Sequence, residues 1–449
     1  MKDPVFRQKL MRLVIPVTLQ NFIQALVPVA DAMMLVALDQ NAMSAVSLAT
    51  QVGFVLQLFT FTVTSGVSMF AAQYWGKQDT RSIEELYAFG IRLMMPIAFV
   101  FFLATFCFPS AVMRIYTSDP DIIRYGASYL RIVSFSYFLN SIMLISETIL
   151  KNTELVKPVT IVGSSLVVVN IFLNAVFIYG LFGAPKLEAA GAALATTISN
   201  ALCLLAIIII QIKSGKARFR LQYLFSVSKH ISDGFLKYTM PILANQLGWG
   251  IGFTTLSSIM GHLGSDAVAA NSVAAVVKDL ISCFCFALAS GSTILVGNEL
   301  GAGNLERAKD YGSRLCKLGI GSGIVAGIIV AAFSPLIVSV CNLTSTAAQY
   351  LQAMLLMCVY YMVGRTMNCT VIAGIFCAGG DTKFGFYCDT ITMWAFIVPV
   401  GLLAAFVLKL PVLAVYFLLN LDEMVKLPAV YHHYKKYLWV RNLTENDAR

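Results

Sequence analysis

The feature that most constrains this chain is a run of long, uninterrupted apolar stretches, such as residues 201–210 and 319–333. A helix crossing the roughly 30 Å hydrocarbon layer needs about 20 apolar residues, because each residue rises 1.5 Å. Twelve such stretches follow one another, centred near 23, 58, 97, 138, 168, 200, 246, 280, 325, 360, 396 and 420. Membrane barrels would instead show short alternating segments. Composition closes the argument: of 449 residues 58% are hydrophobic and 12% charged, where soluble domains carry roughly 25% charged residues. Mean hydropathy is +0.77. The chain reads as an all-α integral membrane protein, and an ordinary cytosolic enzyme is excluded.

Residues 1–12 are basic and amphipathic. The apolar stretch after them is too long for a signal core and lacks a small-residue cleavage site, so a multi-pass protein without a cleaved leader is expected. The ten cysteines show no CxxC pair and read as small buried hydrophobes. No GKS or GKT element occurs and no histidine shows ligand spacing with an acid inside a span, which argues against ATP use and against an enzyme.

Twelve spans put both termini on one side. If that side is cytoplasmic, most Lys and Arg residues fall there, from Arg7, Lys77 and Arg81 to Lys426, Lys435 and Arg441. Only Arg114, Arg124, Arg131, Lys186 and Lys409 face the other way. The positive-inside rule then places the protein in the cell membrane with cytoplasmic termini. The formal charge of +9 is spread over every inner loop. It is a topology signal, so the partners expected are the lipid bilayer and small amphiphilic or cationic molecules, with no nucleic acid and a monomeric chain.

The chain repeats itself at an offset of 225. Ile15-Pro16 returns as Met240-Pro241, Gln20-Asn21 as Asn245-Gln246, residues 38–49 as 263–274, and Gly76 as Gly301; farther on the offset is 226, aligning Lys157 with Lys383. Each half holds six spans, so the halves share one orientation. Two six-helix bundles related by a pseudo-twofold along the membrane normal are expected, the arrangement of parallel-repeat transporters. The N-lobe covers residues 1–213 with helices 1–6, a cytoplasmic linker covers 214–232, and the C-lobe covers 233–449 with helices 7–12 and a basic tail. Alternating access fits such a repeat better than a passive channel.

Asp31 is the most informative residue. It lies about 18 residues beyond Leu13, roughly 27 Å along a helix, and an ionised carboxylate at that depth costs on the order of 3 kcal/mol on insertion scales. Pro28, three residues before it, and Pro16 are candidate hinges, since proline removes a backbone hydrogen bond. Asn170 and Asn174 in the fifth span share one helix face at a comparable depth, and Thr196 in the sixth falls at that depth too. One carboxylate with amide and hydroxyl oxygens suits a proton or a small hard cation such as Na+; no other cofactor or metal is expected. The repeat partners of Asp31, Asn170 and Asn174 are Leu256, Phe396 and Val400, so no second ion site is expected in the C-lobe. Gln20, Asn21, Gln24, Asn245, Gln246 and Trp249 occupy corresponding faces of the two entry helices and are candidates for a substrate cavity. Glu147, Lys278, Asp279 and Arg365 are the other charges that can face it, with Arg365 expected to pair with Glu147 or Asp279.

The segment VGNELGAGNLERAKDYG (296–312) resembles the signature loop of the multidrug and toxic compound extrusion (MATE) family. AAQYWGKQDTRSIEE (71–85) is its counterpart, and residues 157–180, 191–200 and 377–384 carry further family-like features. The resemblance covers nearly the whole chain. It implies an antiporter that exports organic cations in exchange for inward H+ or Na+. It also implies that the first-span acid, here Asp31, works with an Asn and an Asp four residues apart in the fifth span and a Thr in the sixth. Asn170 matches the family Asn, Asn174 stands where many members have Asp, and Thr196 is followed by a second candidate, Thr197. The rival reading is a flippase for a lipid-linked saccharide, which would need a cationic cavity; Arg365 is its best support.

Overall fold

The computed structural model describes residues 4–36, 39–226, 228–341 and 343–445. Leu38, within the repeat, and Val227, within the linker, lie outside the described residues. All regular structure among the described residues is helical. The first half contains α1 (Pro4–Ala25), α2 (Val27–Val36), α3 (Gln40–Gly76), α4 (Thr80–Cys107), α5 (Pro109–Arg114), α6 (Pro120–Asn152), α7 (Val156–Tyr179) and α8 (Ala189–Ser214). The second contains α9 (Lys229–Gly261), α10 (Ser265–Gly301), α11 (Leu305–Val340), α12 (Ser345–Asn368), α13 (Thr382–Thr390), α14 (Val398–Leu402), α15 (Val412–Leu419) and α16 (Asp422–Lys435).

Among the described residues, ten helical segments are long and apolar enough to cross a membrane. The two remaining stretches, near 246 and 420, are also helical but more polar or shorter. Helix α9 carries Asn245, Gln246 and several glycines, and α15 stops at Leu419, where the Asn420 side chain donates to Tyr416 O at 2.8 Å. The first span is not one rod. Proline at 28 cannot donate to residue 24 and its ring crowds that carbonyl. The chain answers with a turn at Leu26, whose amide bonds Ile23 O at 3.2 Å, and α2 restarts from there. Pro16 sits inside an unbroken α1.

The chain forms two compact units, Ile15–Leu236 and Met1–Val14 with Lys237–Arg449. The expected lobe boundaries therefore differ at the entry segments. In the first unit Phe235 stacks on Phe70 and meets Phe89 edge-on. In the second, Phe6 packs against Tyr311 and Val14 against Gly291, where a Cβ would stand 3.0 Å away. Within the first unit α6 is the central helix, touched by α3, α4 and α8; in the second, α12 packs on α10 and α11.

The repeat is visible in helix ends. Helices α3 and α10 are both 37 residues long and end at Gly76 and Gly301, one offset apart. The turns after them place Gln78 (φ 63°) and Gly303 (φ 78°) in the left-handed region, and the later turns do so with Glu154 (φ 70°) and Gly380 (φ 74°). A non-glycine residue there costs roughly 1–2 kcal/mol. Each half also ends in a strap on its own unit. Arg220 Nε bonds Glu84 Oε2 at 2.7 Å while Phe219 meets the Tyr87 ring; later, Trp439 covers Gly312 and its backbone closes on Gly379. The 214–232 linker thus begins as a packed segment of the first unit.

Three of these four positive-φ positions test the asymmetry. Gln78→Gly and Glu154→Gly should each raise the stability of the detergent-solubilised protein by up to about 1 kcal/mol, since the strain relieved slightly exceeds the entropy lost. Gly303→Gln should lower it by a similar amount, all read as shifts in the thermal unfolding midpoint.

Candidate functional site

The first unit brings three of the four predicted ion-site residues together. Asn174 is fully buried on α7 and donates from Nδ2 to Asp31 Oδ1 at 2.6 Å and to Asn170 Oδ1 at 3.2 Å. The i,i+4 spacing expected to align the two asparagines is what places the acceptor of one beside the donor of the other. With Asp31 ionised, such a bond is charge-assisted. Asn174 Oδ1 is buried without a partner, which leaves an acceptor oxygen beside a carboxylate. Tyr129 on α6, which sequence reasoning missed, stands close enough to interact electrostatically with Asp31. One turn beyond, Tyr179 Oη donates to Met34 O at 2.9 Å, so α2 is tied to α7 at two levels. Thr196 is half-buried on α8, while its neighbour Thr197 donates to Ala193 O at 2.8 Å.

Below the Leu26 turn lies a second polar contact. Gln20 Nε2 donates to Glu147 Oε2 at 3.2 Å, and Lys151 Nζ reaches the same oxygen at 2.8 Å. Asn21 is half-buried and Gln24 exposed.

The second unit holds a buried charge network that the sequence reading did not foresee. Asn245 Nδ2, the repeat partner of Gln20, donates to Asp389 Oδ2 at 2.8 Å. Lys426 Nζ bridges Asp389 Oδ1 at 3.0 Å and Glu423 Oε2 at 3.2 Å, and Arg365 bonds Glu423 Oε1 at 2.9 Å. Asn368 Nδ2 adds a bond of 2.8 Å to Glu423 Oε2. Two expectations are corrected here. Arg365 pairs with Glu423, which α16 presents to it, and not with Glu147 or Asp279; Asp279 is exposed. Lys426, assigned above to the inner surface, is only 8% exposed and lies within the network. Lys278 is held by Asn420 Oδ1 at 2.9 Å and by the Tyr361 and Tyr416 rings. A cavity of about 50 Å³, room for a few waters, lies against Asn245, Trp249, Asp389, Trp394, Arg365 and Asp422. Gln246 is half-buried beside it in sequence. A signal for Asp389 did exist: it is the repeat partner of Gly163, an acid where the other half has no side chain. π-helical turns follow at once, Cys369–Phe376 after Asn368 and Ile391–Ile397 after Thr390, a departure often found at functional positions.

A family model for MatE matches residues 16–176 and 241–419, which take in both repeats, the Asp31–Asn170–Asn174 trio, and Asn245, Arg365 and Asp389 of the second network. The chain belongs to the MatE family. It is a multi-pass membrane transporter of the multidrug efflux class and not an enzyme. Among curated relatives it is 22% identical to the uncharacterized transporter YisQ of Bacillus subtilis over 92% of this chain and 90% of that one. It is 25% identical to the probable multidrug resistance protein YoeA of Bacillus subtilis, over 98% and 95%. A solved MOP superfamily transporter from Pyrococcus furiosus superposes with a TM-score of 0.87 at 18% identity, covering 98% of this chain and 97% of that one. At that identity the likeness speaks for the two-lobe helical fold alone.

The C-terminal network of this MatE protein makes a stability prediction. Glu423→Gln leaves Arg365 and Lys426 short of a buried counter-charge, and losing one partner of a buried pair costs about 3–5 kcal/mol. Thermal unfolding in detergent should show a loss of that size, while Asp279→Asn, at an exposed site, should change little.

Proposed function

We propose that this chain is a secondary antiporter that exports organic cations in exchange for inward H+ or Na+ by alternating access. The single observation that carries the reading is the Asp31–Asn174–Asn170 chain, which fastens α2 to α7 directly above a break in the first span. An ionised Asp31 accepts the Asn174 proton as a charge-assisted bond; a bound proton reduces this to a neutral one. The difference is on the order of 1 kcal/mol, a several-fold shift in an equilibrium. Ion binding thereby loosens α2 at the Leu26 turn, with Pro28 as the hinge.

Transport requires the ion and the drug to favour different states, because a ligand of equal affinity for both shifts nothing. The oxygens of Asp31 and Asn174 serve a proton or, with further ligands, Na+. Asn174 in place of an acid leaves one titratable group in the trio, which favours the proton. The chain acts as a monomer in the cell membrane with its termini in the cytoplasm. The flippase reading gains nothing from the second unit, where Glu423 and Asp389 neutralise Arg365 and Lys426.

Ethidium accumulation in pump-deficient cells tests the reading. The parent should lower accumulation and Asp31→Asn at matched membrane levels should return it to the empty-vector value. A parent indistinguishable from empty vector would remove drug export. Asn174→Asp should add sodium dependence to export measured under imposed gradients, and an unchanged ion preference would take Asn174 out of the ion site.

A further inference from the structure

Glu147 does not have the surroundings of a plain ion pair. Its Oε2 takes both the Lys151 and the Gln20 bonds, while its Oε1 and the Gln20 Oε1 are buried with no donor. The two residues are 2% and 1% exposed. A buried acceptor left unpaired costs about 1–3 kcal/mol, and here two occur on side chains already bonded to each other. Gly163 on α7 enforces the contact. A Cβ at that position would collide with Gln20 Nε2 and lie 3.5 Å from Glu147 Oε1, so only glycine lets the amide and the acid lie side by side against α7.

An amide and a neutral carboxylic acid pair through two opposed hydrogen bonds: amide N–H to one acid oxygen, acid O–H to the amide oxygen. The first is present. One proton on Glu147 Oε1 would supply the second and provide for both orphaned oxygens. Lys151 opposes this as a cationic partner of the same carboxyl group, but its side chain is 16% exposed and so reaches the edge of the bundle, where a long flexible stem can give its charge back to water. The Cys203 thiol on α8 is a further titratable group within electrostatic reach of Glu147.

We propose that Glu147 and Gln20 form a second proton site in the first unit, on the route by which a proton leaves Asp31 toward the end where α1 begins. Along α7, Gly163 precedes Asn174 by eleven residues, roughly 16 Å, and Gln20 and Asp31 lie on either side of the Leu26 turn of one span. The transfer therefore needs intervening water. The proton leaves the Asp31 carboxyl and adds to Glu147 Oε1, Lys151 stays protonated and gives up its partner, and loss of the proton to solvent restores the pair. The direction of travel rests on the ion-coupled antiport reading; the existence of the site does not.

Infrared difference spectra of the purified full chain between alkaline and acidic buffer test it, since each protonated carboxyl shows a C=O band. Asp31→Asn should keep a buried-carboxyl band that is lost in Asp31→Asn/Glu147→Gln and shifted in Asp31→Asn/Gln20→Leu. The Gln20 variant keeps the Glu147–Lys151 pair, so it serves if the Glu147 variant fails to fold. Should no band depend on Glu147 or Gln20, Glu147 stays ionised and the site is overturned. A Glu147 band in a protein that shows no ion-coupled export would instead remove the antiport reading and leave the site standing.

Discussion

A carboxylate withdrawn from water must be met by a donor, and the interior of this protein is organised by three such meetings. Asp31 is met by Asn174, Glu147 by Gln20 and Lys151, and Asp389 with Glu423 by Asn245, Lys426 and Arg365. The apolar packing around them is non-directional and tolerates sliding. These bonds do not, because moving either partner leaves a buried charge or acceptor unpaired. They therefore decide which helices stay together and which segment can let go.

The two entry spans show how one motif serves different ends. Gln20 and Asn245 are repeat partners, and each donates an amide proton to a carboxylate that also holds a lysine. The acid comes from α6 in one half and from α13 in the other. In the first unit the contact is a single acid whose Oε1, like that of Gln20, has no donor; in the second it extends into a network in which both cations have acid partners, while Arg365 Nε and Asn368 Oδ1 are left without one. The Leu26 turn lies between the Gln20 contact and the Asp31 contact, so the first span is held at both ends of its weakest point.

Much of this was legible from the residue order. Depth and isolation singled out Asp31, the i,i+4 spacing put Asn170 and Asn174 on one face, and Pro28 marked the break. Gln20 and Asn245 were grouped as equivalents. Arg365 was recognised as a charge in need of a partner, but the wrong one was named. In the last span a two-residue break at Asn420–Leu421 separates α15 from α16, and α16 presents Glu423 and Lys426 to Arg365 and Asp389.

The sequence by itself determined that the chain crosses a membrane many times, that it is built twice over, and where its rare intramembrane charges lie. Hydropathy, helical rise and internal repetition are properties of the chain read along its own length. Only the tertiary structure decided which donor answers each charge. Partner choice depends on helix rotation and contact across more than a hundred residues of separation, as between Asp31 and Asn174 or Asn245 and Asp389, and no local period in the sequence encodes it.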